Sequence, residues 1–449
     1  MGFLSYNLVL LFSLWSVVLS PWSVVLAQSP PILQILKQEP KSLADIERLI
    51  RYNWHDRALE ALAVYPGTQQ KVFLLKTQAW MGLKRYPEAL AVLEQLLQKD
   101  GLRKFRWQAQ LKKAQVLSRL ARYPESLDLY QSLIKKEKRW RVKTKLKWSA
   151  FKTALEAKEY QRGLHFLRGI KDAKGSWYRG WCHFQLGDLD KALEAWEQIP
   201  SRRAFGFDKK ALFWMAEVHK KRGNPEAAQK YLAELAQKYP HHYYGLLSRF
   251  LTKSEMTQLP RDQNYPILFG QVIWPEAKRN GLDPYFILAL IKQESSFKER
   301  AVSRSGAMGL MQIIPQTALR LAAATRQKDF AWEKMFAPGR NVKLGTFYLK
   351  SLSRLFDGQL PLIIAAYNAG EEAVSRWQTL RKKDSLLFFI EEIPYDQTQN
   401  YVQKVLANHW IYFWLYKGKL PAALISSLDA KKFEQGIHES RQGRGKGDR

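Results

Sequence analysis

A glutamate at the end of an apolar stretch is the strongest candidate for chemistry in this 449-residue sequence. Glu294 lies near the end of the segment from Asp283 to Ser295, in which Asp283 and Pro284 suit a helix start and mostly apolar residues follow. Burial and the negative end of the helix dipole both favour the protonated form of a carboxyl group there. A carboxylic acid that is protonated near neutral pH can act as a general acid. The sequence therefore predicts that Glu294 donates a proton.

Two downstream segments could surround such an acid. The segment 303–312 contains two glycines three residues apart, a spacing that allows the backbone to approach a ligand or a neighbouring helix closely. The segment 364–370 is typical of an apolar helix that ends at Gly370 as its C-cap. Within it, Tyr367 and Asn368 carry donors and acceptors that could orient an acid or bind a sugar amide.

Together with residues 390–402, and in this order, these segments resemble the catalytic domain of the soluble lytic murein transglycosylases. The motifs that carry the resemblance are Glu294-Ser295, the block from Gly306 to Gln312 (Gly-Ala-Met-Gly-Leu-Met-Gln) and the block from Ala366 to Gly370 (Ala-Tyr-Asn-Ala-Gly). The resemblance implies cleavage of the β-1,4 bond between N-acetylmuramic acid and N-acetylglucosamine without hydrolysis. It further implies that Glu294 first protonates the glycosidic oxygen and then takes the proton of the muramoyl 6-hydroxyl, which closes a 1,6-anhydro ring.

The resemblance also implies roles for other residues of this sequence. It implies that Ser303 contacts the muramoyl N-acetyl group, that Gln312 binds substrate and that Tyr367 lies near the catalytic carboxyl. The remaining residues of the implied substrate-binding set are Gly309, Met311, Asn368, Glu391 and Tyr401.

One departure from the family pattern concerns an acidic side chain. Relatives carry Glu-Thr after the Ile-Pro pair, whereas this chain has Gln397-Thr398. We therefore expect the role of that acid to be lost or taken over by Asp396.

The residues alone leave three functions open. A lytic transglycosylase needs one carboxyl, because the substrate's own groups can replace the second carboxylate that ordinary glycosidases use. A lysozyme-like hydrolase would have the same fold and transfer to water. A repeat scaffold that only binds glycan is the third alternative, since fold does not fix function. We expect no cofactor and no metal, because no His-Glu-x-x-His motif and no clustered His and Cys residues occur.

A short unit repeats before the candidate acid. Tyr86-Pro87-Glu88 returns as Tyr123-Pro124-Glu125, 37 residues later, and weaker copies follow near residues 160, 189 and 225. Periods of this length with a turn signature are typical of tetratricopeptide-like helical hairpins. The repeats could bind a protein partner or serve only as a spacer that positions another domain.

The predicted fold class is all-α, with a tetratricopeptide-like superhelix followed by a lysozyme-like, mainly helical catalytic domain. The family resemblance covers the catalytic domain fully and the repeats loosely, and an open arc of repeats is expected rather than a closed ring. The expected boundaries are residues 1–27 for a signal peptide, 28–251 for the repeats, 252–267 for a linker, 268–430 for the catalytic domain and 431–449 for a basic flexible tail. We also expect the catalytic domain to cleave glycan without the repeats.

Charge and the N-terminus indicate an exported protein with an anionic partner. The chain has 72 Lys and Arg against 41 Asp and Glu, a net charge of +31. The apolar stretch before Ala27 predicts a signal peptide or, if it is retained, an anchor, and hence a periplasmic location. Peptidoglycan strands are therefore the expected partner, with no nucleic acid and no further integral membrane segment. The single cysteine, Cys182, excludes an internal disulfide.

Overall fold

The computed structural model describes residues 39–66, 70–99, 105–199, 206–252, 264–326, 330–379 and 385–419. Within these ranges the chain forms 21 α-helices, one 3₁₀ turn and two isolated β-bridges, so the predicted all-α class is confirmed. The predicted signal peptide, the tail and most of the predicted linker lie outside the described residues. None of the described helices has both the length and the hydropathy that a membrane span requires.

Thirteen of these helices precede the predicted linker. They are α1 (Leu43–Arg51), α2 (His55–Val64), α3 (Gln70–Gly82), α4 (Tyr86–Gln98), α5 (Arg106–Arg119), α6 (Tyr123–Lys136), α7 (Trp140–Glu156), α8 (Tyr160–Leu167), α9 (Ala173–Leu186), α10 (Leu189–Glu197), α11 (Phe207–Lys221), α12 (Pro225–Lys238) and α13 (Tyr243–Leu251). Helices α1 to α12 pair as six hairpins, and each hairpin packs on the next, as stacked repeats must to bury their apolar faces.

A common turn explains why the repeats are recognisable in the sequence. One residue of every hairpin turn has a left-handed backbone, and the following N–H donates to a carbonyl five residues earlier, as Arg85 does to Trp80 at 2.9 Å. This is the Schellman ending of a helix. The left-handed residues are Asn53, Lys84, Ala121, Lys158, Gly187 and Gly223. The turn at Asn53 adds a hairpin that the sequence motif did not reveal.

Eight helices follow the predicted linker. They are α14 (Gly270–Asn280), α15 (Pro284–Ser295), α16 (Pro315–Ala324), α17 (Pro338–Leu355), α18 (Leu360–Ala369), α19 (Glu371–Thr379), α20 (Leu386–Glu391) and α21 (Asp396–Lys417), with the 3₁₀ turn Trp332–Phe336 before α17. The first two turns of α15 are buried, and α15 packs mainly on the long helix α21. These two helices form the centre of the C-terminal domain.

All six hairpins reach the C-terminal domain. At the first hairpin, the Trp54 and Trp332 rings meet edge to face at 5.7 Å. At the last hairpin, Lys210 of α11 lies 2.9 Å from Glu391. Each of the four hairpins between them makes such a contact. Lys84 pairs with Glu372, Arg119 lies over the Tyr395 ring, Tyr160 donates to Glu392 and Lys174 pairs with Asp396. Part of the repeat surface is therefore already occupied by the chain's own C-terminal domain.

Candidate active site

The candidate acid is bonded to a buried tyrosine. Tyr401 of α21 donates its hydroxyl to Oε1 of Glu294 at 2.5 Å. Burial raises the pKa of the Glu294 carboxyl from its ordinary value of 4.5 to about 7, although the bond from Tyr401 lowers it. Burial also raises the pKa of Tyr401 well above 10, so its hydroxyl keeps its proton. Glu294 therefore exists as a mixture of acid and carboxylate near neutral pH.

The ends of α15 fix where this carboxyl lies. At the start, the Asp283 side chain accepts from the Tyr285 N–H at 2.9 Å, and its other oxygen lies 2.6 Å from His409 of α21. At the end, Ser296 and Phe297 have left-handed backbones, which stop the helix just after Glu294. The predicted helix start and the position of the acid in the last turn are both confirmed.

The loop after α15 is held by side chains that the sequence marked as ligand-binding. The Gln312 amide nitrogen donates to the carbonyls of Ala301 and Gly309, at 3.0 and 2.9 Å. Gly309 has a φ of +77°, and a Cβ there would lie 2.3 Å from the Asn341 amide. The structure therefore gives Gln312 and Gly309 a part in shaping the loop.

Met311 contributes to the site through its backbone. Its side chain is fully buried and packs so closely on Gly345 that a Cβ at Gly345 would lie 2.3 Å from its sulfur. Its carbonyl accepts the Tyr367 hydroxyl at 2.7 Å. Tyr367 lies near enough to Glu294 for the carboxylate charge to raise the pKa of the phenol, after the larger effect of burial. The structure thus brings Tyr367, Tyr401 and Glu294 together.

Ser303 and Asn368 each have a protein partner for one polar atom. The Ser303 hydroxyl accepts from the Ala307 N–H at 2.9 Å and lies 3.0 Å from the Ser305 hydroxyl. The Thr398 hydroxyl donates to the Asn368 side-chain oxygen at 2.7 Å. Thr398 thus positions Asn368, a contact that explains the threonine of the Gln397-Thr398 pair.

The structure places Glu391 and Asp396 at the contact with the repeats, away from the Glu294 pair. Glu391 is 1% exposed and accepts from Trp214 and Tyr244, with the Lys210 ammonium at 2.9 Å. Asp396 pairs with the repeat-domain lysines 152 and 174, at 3.1 and 2.6 Å. The Glu391 carboxylate is covered and paired, whereas the Asp396 side chain is 39% exposed and has the two lysines as its partners. The expected roles of Glu391 in substrate binding and of Asp396 as a replacement acid therefore have no support in this geometry.

A cavity of about 310 Å³ lies where the two domains meet, and its described lining does not include Glu294, Tyr367 or Tyr401. Its lining combines the start of α13, the last turn of α15 and one face of α21, and it includes two lysines and no carboxylate. The lining residues are His241, His242, Tyr243, Lys292, Gln293, Ser296, Asn400, Gln403, Lys404, Ala407 and Asn408.

Two features of the site were missed by sequence reasoning. Buried Asn341 of α17 bonds to the backbone of Met308, Met311 and Met335, at 2.8 to 3.0 Å, and so holds the loop after α15. Glu371 accepts from Tyr348 at 2.7 Å, and the Tyr348 ring lies 5.5 Å from that of Tyr367. Asn341 lies on the same face of α17 as Leu344 and Leu352, and an amide among such positions is a signal that could have revealed it. The placement of Glu371 had no such signal.

Comparison with known proteins bears on both parts of the chain. Residues 271–386 match the family described as "Transglycosylase SLT domain", and residues 78–139, 176–203 and 210–242 match tetratricopeptide repeats. The chain carries a transglycosylase SLT domain after tetratricopeptide repeats. The Glu294–Tyr401 pair bridges helices α15 and α21 of this C-terminal domain, here called the SLT domain.

Two curated relatives match part of the chain. The chain is 38% identical to a putative soluble lytic murein transglycosylase of Haemophilus influenzae over 129 residues, 28% of this chain and 22% of that protein. It is 27% identical to the soluble lytic murein transglycosylase of Salmonella typhimurium over 215 residues, 47% of this chain and 32% of that protein. The matches thus span about a third or less of these relatives' own length.

The overall fold also has a solved counterpart. The 70-kDa soluble lytic transglycosylase in complex with bulgecin A aligns with a TM-score of 0.53 and 16% identity, over 89% of this chain and 75% of that one. This likeness shows a common fold, in which helical repeats precede a lysozyme-like domain, as the sequence predicted.

Proposed function

We propose that this protein is a lytic murein transglycosylase that cleaves peptidoglycan with Glu294 as its single acid and base. The observation that carries the proposal is the Glu294 carboxyl, whose pKa is raised to about 7 and which is bonded to Tyr401. Catalysis by a general acid is most efficient when its pKa lies near the working pH. The similarity of part of the chain to the two curated murein transglycosylases, and the match of residues 271–386 to the SLT domain, support the choice of substrate.

The electrostatics of Glu294 favour a mechanism with one carboxyl. Glycosidases that use two carboxylates hold them about 5 to 10 Å apart, and a second negative charge at such a distance raises the pKa of the first. Within the described part of the chain, burial and Tyr401 are the two influences on the Glu294 pKa. Glu391 and Asp396, the acids that could have activated water, are bonded to the repeats instead.

The proposed reaction proceeds in two proton transfers. Protonated Glu294 gives its proton to the glycosidic oxygen as the bond from that oxygen to C1 of the muramoyl residue breaks. The resulting carboxylate, stabilised by the Tyr401 hydroxyl, takes the proton of the muramoyl 6-hydroxyl while that oxygen bonds to C1. The products are a free 4-hydroxyl on N-acetylglucosamine and a 1,6-anhydro end, and Glu294 is again protonated.

The basic composition supports an anionic polymer as substrate. Peptide stems and muramoyl lactyl groups make peptidoglycan anionic, and a net charge of +31 would hold the protein near it. We propose that the protein acts in the periplasm on glycan strands, free or tethered by its N-terminus.

Mass spectrometry of the soluble products from purified sacculi tests the proposal. We expect anhydro-muropeptides, lighter by one water than hydrolytic products, and their loss in Glu294→Gln but not in Glu299→Gln, a control at an exposed carboxylate in the loop after α15. Reducing muropeptides would instead establish a hydrolase. No release of muropeptides by the folded protein would leave the glycan-binding scaffold.

A further inference from the structure

Helix α21 is held from two opposite sides. On one side Tyr401 donates to Glu294 of α15. Gln399 and Gln403, two residues before and after Tyr401, are about 200° away around the helix and therefore face away from Glu294. Both glutamines bond to the repeats: Gln399 accepts from Lys210 at 2.7 Å, and Gln403 donates to Tyr244 at 2.9 Å. The repeats thus anchor the segment of α21 that carries Tyr401.

The Tyr244 hydroxyl joins these contacts. It donates to Oε1 of Glu391 and accepts from Gln403, so its one proton and one of its lone pairs are both used across the domain contact. Burial and the nearby Glu391 raise its pKa well above 10, which keeps it a donor. Glu391 is the last residue of α20 and Gln403 lies on α21, so one hydroxyl fixes both helices relative to each other.

The burial of this network makes its bonds costly to lose. Tyr244, Lys210, Gln399, Gln403 and Glu391 are all at most 6% exposed. A buried polar group that loses its partner is left unsatisfied, which costs more than the bond itself contributes. A small displacement of α21 would then alter the Tyr401 to Glu294 bond, and catalytic rates are sensitive to displacements of about 1 Å.

We propose that Tyr244, in the last repeat-region helix, is a positioning residue that holds Tyr401 against Glu294 for the reaction. This inference rests on the proposed function, and it extends the site across the domain contact. The repeats then serve as part of the catalytic apparatus, because their side chains set the geometry of the acid and its hydrogen-bond donor.

The neighbouring tyrosine provides a matched control. Tyr243 and Tyr244 are adjacent on α13 and both fully buried. In the described part of the chain the Tyr243 hydroxyl has no hydrogen-bond partner, whereas the Tyr244 hydroxyl has two. Tyr243→Phe and Tyr244→Phe therefore remove the same atom from similar surroundings, and only the second breaks the bridge.

Steady-state kinetics of the full chain against pH, together with thermal unfolding, test the inference. For Tyr244→Phe we expect a kcat about tenfold lower, with KM unchanged. We also expect the alkaline limb of the profile of kcat against pH to move to higher pH. The limb should move because the Tyr401 bond lowers the pKa of Glu294, and Tyr367, the other group near that carboxyl, keeps its place. Tyr243→Phe should behave as the unmodified protein.

Three outcomes would overturn the inference. One is a kcat and alkaline limb in Tyr244→Phe that match those of Tyr243→Phe. Another is a lower melting temperature in Tyr244→Phe with unchanged kcat and limb in the folded enzyme, which would mean a purely structural role. If Tyr244→Phe does not fold, Gln403→Met removes the same bond from the other side and is measured in its place, with the same outcomes.

The test also separates this inference from the proposed function. If the unmodified protein releases no muropeptides, the proposed function is refuted. The inference is then tested by ¹³C titration of the Glu294 carboxyl, whose signal is identified by its loss in Glu294→Gln. A higher pKa in Tyr244→Phe than in Tyr243→Phe supports the positioning role, and equal values refute it.

Discussion

Ionisation of Glu294 should destabilise the folded protein, and Glu294→Gln should remove that cost. Its pKa lies at about 7 in the folded chain, against an ordinary value of 4.5. Between these two values the folded state binds more protons than the unfolded state, so stability falls as the pH rises. Below pH 4.5 both states are protonated, and the carboxyl has no effect on the free energy of unfolding.

The size of the effect follows from the same two values. Each unit of pKa corresponds to about 1.4 kcal/mol, so the difference between 4.5 and about 7 amounts to about 3 kcal/mol of lost stability once both states are ionised. Glutamine has nearly the same shape and does not ionise. The variant should therefore gain about 3 kcal/mol on the unmodified protein between pH 4 and pH 9, while its activity is lost.

Urea titrations followed by tryptophan fluorescence can measure this difference at several pH values. What matters is how the difference in free energy of unfolding between the variant and the unmodified protein changes with pH. Its absolute size matters less, because any effect of the new amide that does not depend on pH cancels. Glu299→Gln is the control, since it makes the same substitution at an exposed carboxylate. A flat difference for Glu294→Gln would show that Glu294 is ionised well below neutrality, and the argument for a general acid would fail.

Two other substitutions test the site more locally. Tyr401→Phe should lower kcat about tenfold or more and move the alkaline limb of the kcat profile to higher pH, because a donor to the Glu294 carboxylate is lost. Tyr367→Phe, which only frees the Met311 carbonyl, should slow the enzyme less. Equal rates for the two variants would contradict the assignment of Tyr401 as the partner of the acid. Gly309→Ala should destabilise by about 2 kcal/mol more than Gly358→Ala in thermal unfolding, since both have a positive φ but a Cβ meets neighbours only at Gly309; equal losses would show that the loop gives way.

Local chemistry was readable from the sequence because it depends on neighbours along the chain. Asp283 caps α15 through the N–H two residues on, Gly370 ends α18, and Glu294 lies in the last turn of its helix. The repeats were recognisable for the same reason. Each hairpin turn needs a residue with a left-handed backbone, followed by a polar residue or a proline at the start of the next helix. Only the first hairpin escaped, because its turn at Asn53 resembles neither the Tyr-Pro-Glu copies nor the weaker ones.

Partners distant in sequence could not be read in this way. Glu391, expected at the substrate, is bonded to Lys210, and Asp396 to Lys174, across about 180 and 220 residues of chain. The residue types alone were compatible with catalysis, and what decides their role is that the end of α20 and the start of α21 face the repeats. Gln312 shows the same limit on a smaller scale, because the turn of its loop directs its amide to two backbone carbonyls.

The covering of α20 by the repeats decides whether the SLT domain can act alone. Phe388 of α20 meets the rings of Trp181, Phe184 and Trp214, at 5.4 to 6.1 Å, and all of these partners belong to the repeats. A six-residue helix without that cover has too few hydrogen bonds to persist by itself. The start of α21, and with it Tyr401, would then lose its support.

We therefore expect a chain without residues 28–251 to lose most of its activity, contrary to the expectation from the sequence that the domain acts alone. Hydrogen exchange should show the cause: amides of α20 and of the first turns of α21 should exchange faster than in the full chain, while those of α15 stay protected. Lys209→Met in the full chain controls for the loss of positive charge from the repeats. Lys209 pairs with Asp208 within its own helix, so this substitution leaves the contacts with the C-terminal domain in place. If the shortened chain folds, protects α20 as the full chain does and releases anhydro-muropeptides at the same rate, the repeats have no part in building the site, and the positioning role of Tyr244 falls with them.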